Sequence, residues 1–181
     1  MNEKEKIKAS RFLSFILRHK PDAINIVLDN NGWASVQELL ANMQNTKYKI
    51  TFGQLKDIVD TDDKKRYSFN DDFTKIRASQ GHSVEIDLNL APVIPPDVLY
   101  HGTAVNNVDV IKKQGLQKMS RQYVHLSKDE ETAKTVGARH GYPIILIINA
   151  KDMYDDGYSF YLSDNGVWLT DNIPAKYIKI L

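Results

Sequence analysis

Cysteine is absent from this chain of 181 residues, which excludes disulfide bonds, thiolate metal ligands and cysteine nucleophiles. The longest apolar run, PIILIINA (143–150), is too short to cross a bilayer. The charged segment MNEKEKIKAS (1–10) is followed by no apolar stretch of the kind found in a signal peptide. We therefore expect a cytoplasmic protein with no membrane partner.

Several nucleotide and catalytic motifs are also missing. The chain contains neither the GxGxxG nor the GxxxxGK[ST] loop that binds phosphates through backbone amides, and it has no GxSxG nucleophile turn. Its five histidines include no pair at a spacing typical of metal ligands. We therefore expect no metal ion and no cofactor bound through one of those loops.

The chain has no excess of charge of either sign, with 24 Lys and Arg against 23 Asp and Glu. Residues 1–90 carry 14 basic and 13 acidic side chains, and residues 91–181 carry 10 of each. Net charge alone favours a protein without a nucleic-acid partner. Any binding to RNA must come from local clusters of basic residues.

The first part of the chain has the pattern of a winged helix. Apolar residues recur at three- and four-residue spacing over 5–18, and Pro21 ends that helix. Ser35, in a capping box, and Thr51 are predicted to cap two further helices. The segment RYSFNDDFTKIRA (66–78) then predicts a β-hairpin.

The pattern changes after a segment that holds three of the six prolines, VEIDLNLAPVIPPD (84–97), which is predicted to be a linker. Residues 98–181 contain short strand candidates at VLYHG, YVHLS, IILIINA, SFYL, GVWLT and YIKIL, with helices near 106–114 and 129–138. We predict an α+β protein with an N-terminal winged-helix lobe (1–83) and a C-terminal lobe of short strands and helices (98–181).

Three clusters place cationic side chains beside constrained residues: RHKP (18–21), KKR (64–66) and RHG (139–141). Arginine grips phosphate oxygens with a planar fork, and histidine donates to phosphate near neutral pH. The alternative for each cluster is structural, because basic residues complement the dipole at the C-terminal end of a helix.

Two histidine tripeptides, HGT (101–103) and HLS (125–127), lie at the ends of strand candidates, where ligand-binding groups are common. The alternative is a pair of structural histidines bonded to the backbone. The QGHS segment (80–83) is either a close backbone approach allowed by glycine or a plain turn at a domain boundary.

These pieces together resemble the RNA 2′-phosphotransferase family. The resemblance runs nearly end to end and in order, through LSFILRHKP (13–21), DNNGW (29–33), KKRYSF (64–69), IRASQGHS (76–83), LYHGT (99–103), YVHLS (123–127), VGARHGYPIIL (136–146) and NGVWLT (165–170). Two departures are visible: Tyr123 stands where members often have histidine, and Ser79 where asparagine is common.

The resemblance implies a C-terminal lobe related to ADP-ribosyltransferases, with NAD consumed as co-substrate. It implies a catalytic set around the RNA phosphate made of Arg18, His19, Arg66 and Arg139. It also implies an NAD-binding set made of His101, Gly102, Thr103, His125, Leu126, Ser127, Gly137 and Val167, the last at a position where many ADP-ribosyltransferases have glutamate.

The family reaction implied for this chain removes an internal RNA 2′-phosphate, as at a tRNA splice junction. It passes through an ADP-ribosylated 2′-phosphate and yields 2′-hydroxyl RNA, nicotinamide and ADP-ribose 1″,2″-cyclic phosphate. We expect the phosphate to bind between the two lobes. Nothing in the sequence requires more than a monomer.

Three other functions are weighed against this one. ADP-ribosylation of a terminal phosphate on RNA or DNA would need only the first chemical step. A non-catalytic winged-helix nucleic-acid-binding protein would need a basic recognition helix, whereas the third helix candidate, FGQLKDIVD (52–60), is acidic. A protein-directed ADP-ribosyltransferase usually needs a glutamate where this chain has Val167.

Overall fold

Helices and short antiparallel strands alternate along the chain, and they form two units in a computed structural model that describes residues 1–139 and 141–181. The units are Met1–Asn89 and Leu90–Leu181. Their mixture of helices with three small antiparallel sheets confirms the predicted α+β class. Among the described residues, no helix is both long and apolar enough to span a membrane.

The first unit packs three helices against a small sheet in which β3 lies between β1 and β2. Its apolar core includes Leu13 and Leu17 from the first helix, which are fully buried as their spacing predicts. The elements are α1 (Glu3–Arg18), β1 (Ala34–Ser35), α2 (Val36–Met43), α3 (Phe52–Asp60), β2 (Tyr67–Phe69) and β3 (Lys75–Ala78).

Local sequence signals account for most of these boundaries. The Asn2 side chain accepts a hydrogen bond from the Glu5 backbone N–H in a capping box. Helix α1 therefore begins at Glu3, two residues before the predicted boundary. Ser35 and Thr51 cap α2 and α3, since each side chain accepts a backbone N–H in the first turn. The capping box was predicted at Ser35, whereas the complete box is found at Thr51, where the Gln54 side chain accepts from the Thr51 N–H. The predicted hairpin is confirmed, with Ser68 opposite Arg77 in the register of β2 and β3.

The second unit contains two three-stranded sheets, with orders β4-β6-β9 and β5-β8-β7. Its helices are α4 (Val108–Gln114), α5 (Glu130–Gly137) and α6 (Ala150–Asp155). Its strands are β4 (Val98–Ala104), β5 (Val124–Leu126), β6 (Pro143–Asn149), β7 (Phe160–Leu162), β8 (Trp168–Thr170) and β9 (Ile178–Ile180).

Several short elements were not predicted from the sequence, among them a 3₁₀ turn at Ala175–Tyr177. The short strand β1 pairs with β3, a 3₁₀ turn spans Pro21–Ile24, and α6 follows β6 directly. Helix α6 was missed because the apolar run of β6 leads into it without a turn signal, and Ala150, predicted as the end of the strand, is the first residue of the helix. Short apolar runs do not mark such a boundary.

The segment 84–97 makes backbone contacts within each unit. The Asp87 N–H donates to the Asn30 carbonyl at 2.7 Å in the first unit. The Val93 N–H donates to the Phe160 carbonyl at 2.8 Å in the second. Parts of this proline-rich stretch therefore extend the two units, and the division of binding roles between 1–83 and 98–181 stays a prediction.

Candidate functional site

The C-terminal end of α1 presents the first candidate pair. Arg18 is the last residue of the helix and is partly buried, and His19 is exposed at the C-cap, where its N–H donates to the Phe15 carbonyl. The helix ends here because Pro21 follows. A basic residue in this last turn also complements the helix dipole, so position alone does not separate the catalytic interpretation from the structural one.

The segment Gly81–Val84 closes over this helix end. The Arg18 carbonyl accepts from the backbone N–H of Ser83 at 2.9 Å and of Val84 at 3.4 Å, which satisfies one of the carbonyls left open at a helix terminus. The Ser83 hydroxyl lies 2.9 Å from His19 Nδ1. Gly81 has a φ of +89°, and a Cβ at this position would lie 3.7 Å from the Arg18 side chain. The pair is thus held by residues more than sixty positions away.

His82 lies in the same segment and is buried, with 1% of its surface exposed. Neither ring nitrogen has a hydrogen-bond partner among the described residues. Burial, with a smaller effect from the positive charges of Arg18, His19 and Arg77, lowers the pKa of His82 from 6.5 to about 3. His82 is therefore neutral at physiological pH and adds no charge beside Arg18.

Arg66 precedes β2 and is held by one carboxylate. Asp62 accepts from the Arg66 backbone N–H at 2.6 Å and from its guanidinium, and the Asp62 side chain is only 8% exposed. This two-point contact fixes the direction of the Arg66 side chain. Sequence reasoning missed Asp62, although its spacing of four residues from Arg66 is a recognisable signal.

Tyr67 connects Arg66 to α1. Its hydroxyl donates to the Ser10 carbonyl at 2.5 Å, and burial raises the pKa of this hydroxyl. The charges of Arg18 and Arg66 both oppose that rise, so both guanidinium groups act on the same buried hydroxyl. Arg18 and Arg66 thus both lie near the Tyr67 hydroxyl, and His19 follows Arg18 in the chain.

A pocket of about 310 Å³ lies beside Arg66 and Tyr67. Of the described residues, Glu3 and Asp62 are also in its lining, whereas Arg18 and His19 are not. Its lining also holds the basic side chains of Lys6 and Arg11, so basic residues outnumber acidic ones. We do not assign this pocket to the RNA phosphate, because Arg18 and His19 are outside its lining.

In the second unit, the two histidine tripeptides lie side by side as neighbouring backbone. Tyr100 and Ser127 exchange hydrogen bonds of 2.9 and 2.7 Å, which joins β4 to the end of β5. His101 Nδ1 lies 2.9 Å from the His125 carbonyl oxygen. A carbonyl only accepts, so Nδ1 of His101 carries the proton. This bond is the backbone contact that the structural alternative for His101 predicts.

The ring nitrogens of the two histidines have complementary roles. Burial lowers the pKa of His101, as does the charge of Arg121, while the His125 carbonyl raises it. In its neutral form, His101 then has Nε2 as a hydrogen-bond acceptor. Arg121 Nη1 lies 2.8 Å from His125 Nδ1, and a guanidinium only donates, so His125 carries its proton on Nε2.

Arg121 was missed in the sequence, although it lies four residues before His125. The pKa of Arg121 is lowered by loss of hydration and by the charge of Arg139, so these two guanidinium groups are close. Arg139 is exposed just after α5, and its N–H donates to the Val136 carbonyl at 3.2 Å. His140, from the third cationic cluster, lies outside the described residues.

The remaining predicted NAD residues have evident packing roles. A Cβ at Gly102 would lie 1.6 Å from the Ala133 carbonyl oxygen, and one at Gly137 would lie 3.0 Å from the Thr103 backbone. These glycines let α5 approach β4 closely. Thr103 is buried and its hydroxyl accepts from Asn107 at 3.2 Å.

Leu126 and Val167 have apolar side chains, so only their backbone could form hydrogen bonds with a ligand. The Leu126 side chain is 1% exposed and belongs to the apolar core. The Val167 carbonyl already accepts from the hydroxyl and the backbone N–H of Ser163, each at 3.0 Å. The predicted binding roles of these residues stay predictions. Within the described part of the chain, no group of three or more His, Asp or Glu side chains is placed to hold a metal ion.

Comparison with known proteins gives a consistent result. The family model for RNA 2′-phosphotransferase, Tpt1 / KptA family, matches residues 4–172. A probable RNA 2′-phosphotransferase from Fusobacterium nucleatum is 55% identical over 174 residues, which is 96% of this chain and 97% of that protein. A protein with the same description from Nostoc punctiforme is 52% identical over 179 residues, which is 99% of each chain. Another, from Trichormus variabilis, is 49% identical over 181 residues, which is 100% of each chain.

Proposed function

The chain belongs to the RNA 2′-phosphotransferase family, Tpt1 / KptA type, and from that premise we propose that it removes an internal 2′-phosphate from RNA at the expense of NAD. The proposed substrate is a tRNA-like splice junction. We further propose that the first unit is a winged-helix lobe that binds the RNA phosphate and the second an ADP-ribosyltransferase-like lobe that binds NAD. The order of three helices and a hairpin in the first unit supports the former assignment.

One observation carries the proposal. The segment Gly81–Val84 holds the Arg18 backbone and the His19 ring at the end of α1, and Asp62 aims the Arg66 guanidinium. Guanidinium groups held in advance capture a phosphate without reorganising, which is the condition for electrostatic catalysis. Neutral His82 adds no positive charge beside Arg18.

In the first step, an oxygen of the RNA 2′-phosphate forms a bond to C1″ of the nicotinamide ribose, and the bond from C1″ to nicotinamide breaks. The nicotinamide ring nitrogen of NAD carries a positive charge, which is neutralised when nicotinamide leaves. A phosphate monoester is largely dianionic near neutral pH because its second pKa is about 6. No general base is needed, so Val167 in place of a glutamate agrees with this step.

In the second step, the ribose 2″-oxygen attacks phosphorus and the bond from phosphorus to the RNA 2′-oxygen breaks. The proton of the 2″-hydroxyl ends on the RNA 2′-oxygen, and ADP-ribose 1″,2″-cyclic phosphate leaves. Charge develops on the phosphoryl oxygens, where we assign Arg18, Arg66 and Arg139 as stabilising groups. We assign His19 to orient or protonate one of these oxygens.

The histidine pair of the second unit fits NAD chemically. His101 Nε2 is an acceptor and His125 Nε2 carries a proton, so the pair matches the mixed donors and acceptors of ribose hydroxyls or a carboxamide. Arg121 and Arg139 lie near each other, and such like-charged groups favour an anion such as a diphosphate. The assignment of Gly102, Thr103, Leu126, Ser127, Gly137 and Val167 to the same ligand rests on the family resemblance.

The test is to incubate the protein with NAD and a short RNA that carries one internal 2′-phosphate, and to resolve the products. We expect 2′-hydroxyl RNA, nicotinamide and ADP-ribose 1″,2″-cyclic phosphate. Arg66→Ala should slow the second step on the order of a hundredfold or more and slow nicotinamide release less. Lys8→Ala, which removes an exposed basic side chain of α1 outside the pocket beside Arg66, is the matched control.

Two results would contradict these assignments. Equal slowing of both steps in Arg66→Ala would remove Arg66 from its assigned role. ADP-ribose retained on a phosphate end, with no 2′-hydroxyl RNA formed, would support ADP-ribosylation of terminal phosphates and overturn the proposed function.

A further inference from the structure

We propose that Ser83 is a positioning residue that acts through His19, holding the imidazole so that its Nε2 side faces the RNA phosphate. The inference deepens the proposed function and rests on it. Its basis is the 2.9 Å contact between the Ser83 hydroxyl and His19 Nδ1, which joins residues 64 positions apart.

The position of the Ser83 hydroxyl is set by the backbone. The Ser83 N–H donates to the Arg18 carbonyl at 2.9 Å, and the next residue, Val84, donates to the same oxygen. Gly81 provides the left-handed turn that brings the segment onto the Arg18 side chain. The hydroxyl is therefore anchored to the helix whose last residues it serves, and it does not depend on a long, mobile side chain.

This contact matters because His19 itself is exposed at a C-cap. An exposed ring samples several rotamers, and a hydrogen bond to Nδ1 selects one of them. The same bond also sets the direction in which Nε2 points. A misplaced catalytic group loses much of its effect, so orientation has a direct kinetic consequence.

A hydroxyl suits a histidine that changes its protonation state. When the imidazolium is present, the Ser83 oxygen accepts from Nδ1–H; when the ring is neutral and Nδ1 is bare, the hydroxyl rotates and donates to it. The contact thus persists in both states of His19. A carboxylate at position 83 would favour only the charged state, and alanine would support neither.

The test uses Ser83→Ala, Ser83→Thr, His19→Ala and the Ser83→Ala/His19→Ala double variant. Single-turnover reactions with NAD and 2′-phosphorylated RNA separate nicotinamide release from formation of 2′-hydroxyl RNA. We expect Ser83→Ala to slow the second step by about twofold to tenfold, the range for loss of one hydrogen bond. The dissociation constant for RNA should stay unchanged, and Ser83→Thr should restore the rate.

The double variant separates positioning from packing. Because Ser83 acts through His19, Ser83→Ala should have no further effect when His19 is already alanine. The same fold-loss in both backgrounds would overturn the inference, as would a Ser83→Ala rate equal to that of the wild type. Unfolding curves for each variant show whether a slower rate reflects misfolding, and rescue by threonine checks the same point.

Failure of the proposed function has a different signature. In that case the wild-type protein itself leaves the 2′-phosphate on the RNA, which overturns both proposals together. An active wild type with an unaffected Ser83→Ala variant overturns only the role of Ser83.

Discussion

Acidification should destabilise the first unit through His82. The ring is 1% exposed, and its pKa falls from 6.5 to about 3 on folding because burial and the nearby Arg18, His19 and Arg77 disfavour the imidazolium. Below pH 6.5 the unfolded chain binds a proton at His82 that the folded chain does not bind. This favours unfolding, so stability is lost as the pH falls from 6.5 towards 3.

The size of this effect follows from the two pKa values. In the unfolded chain His82 has a pKa of 6.5, so at about pH 5 its protonation lowers the free energy of unfolding by about 2 kcal/mol. The loss approaches about 5 kcal/mol as the pH reaches the folded pKa. For a small unit, about 2 kcal/mol is a large part of the total free energy of unfolding.

The measurement is urea unfolding at about pH 7.5 and about pH 5, for the wild type and for His82→Leu, which cannot titrate. The chain has two tryptophans, and Trp33 belongs to the first unit, where the Arg77 guanidinium lies 4.6 Å from its ring centre. Fluorescence of Trp33 in a Trp168→Phe background therefore reports on this unit alone. His82→Leu should lose about 2 kcal/mol less than the wild type between the two pH values. Equal losses in both proteins would refute the reasoning.

Two further substitutions test contacts near the proposed site. Gly102→Ala should destabilise the second unit by about 3 kcal/mol or more, because its Cβ would lie 1.6 Å from the Ala133 carbonyl oxygen. The control is Gly53→Ala on α3, which should not destabilise because its Cβ would make only an ordinary contact of 4.0 Å with the Thr51 hydroxyl. The measurement is the thermal unfolding midpoint of each variant, and equal midpoints would contradict the close approach of α5 to β4 at Gly102. Asp62→Asn keeps an acceptor but removes the charge that aims Arg66, so the second chemical step should slow by about tenfold in single-turnover assays. An unchanged rate would show that Arg66 needs no such partner.

Local patterns in the sequence predicted much of the fold. The spacing of Leu13 and Leu17 placed α1, and Ser35 and Thr51 marked the starts of α2 and α3. The polar turn at residues 70–72 separated β2 from β3. Each signal is complete within a few residues, because capping, periodicity and turn formation depend on near neighbours.

The candidate site was predictable as a set of residues and not as an arrangement. Eight motifs in order indicated the family, and the family model and the relatives confirmed it. The same motifs could not distinguish a functional QGHS segment (80–83) from a boundary turn. Nor did they indicate that Gly102 and Gly137 permit a close approach of helix and strand. These features depend on which backbone segments meet.

The sequence by itself determined the α+β class, the main helices and strands, and membership in the family, because residue types and short spacings carry that information. Only the tertiary structure decided that Ser83 contacts His19, that His82 is buried and neutral, and that His101 donates to the His125 carbonyl. The physical reason is that these contacts join segments distant in sequence. Hydrogen-bond geometry and burial exist only after the chain has brought such segments together.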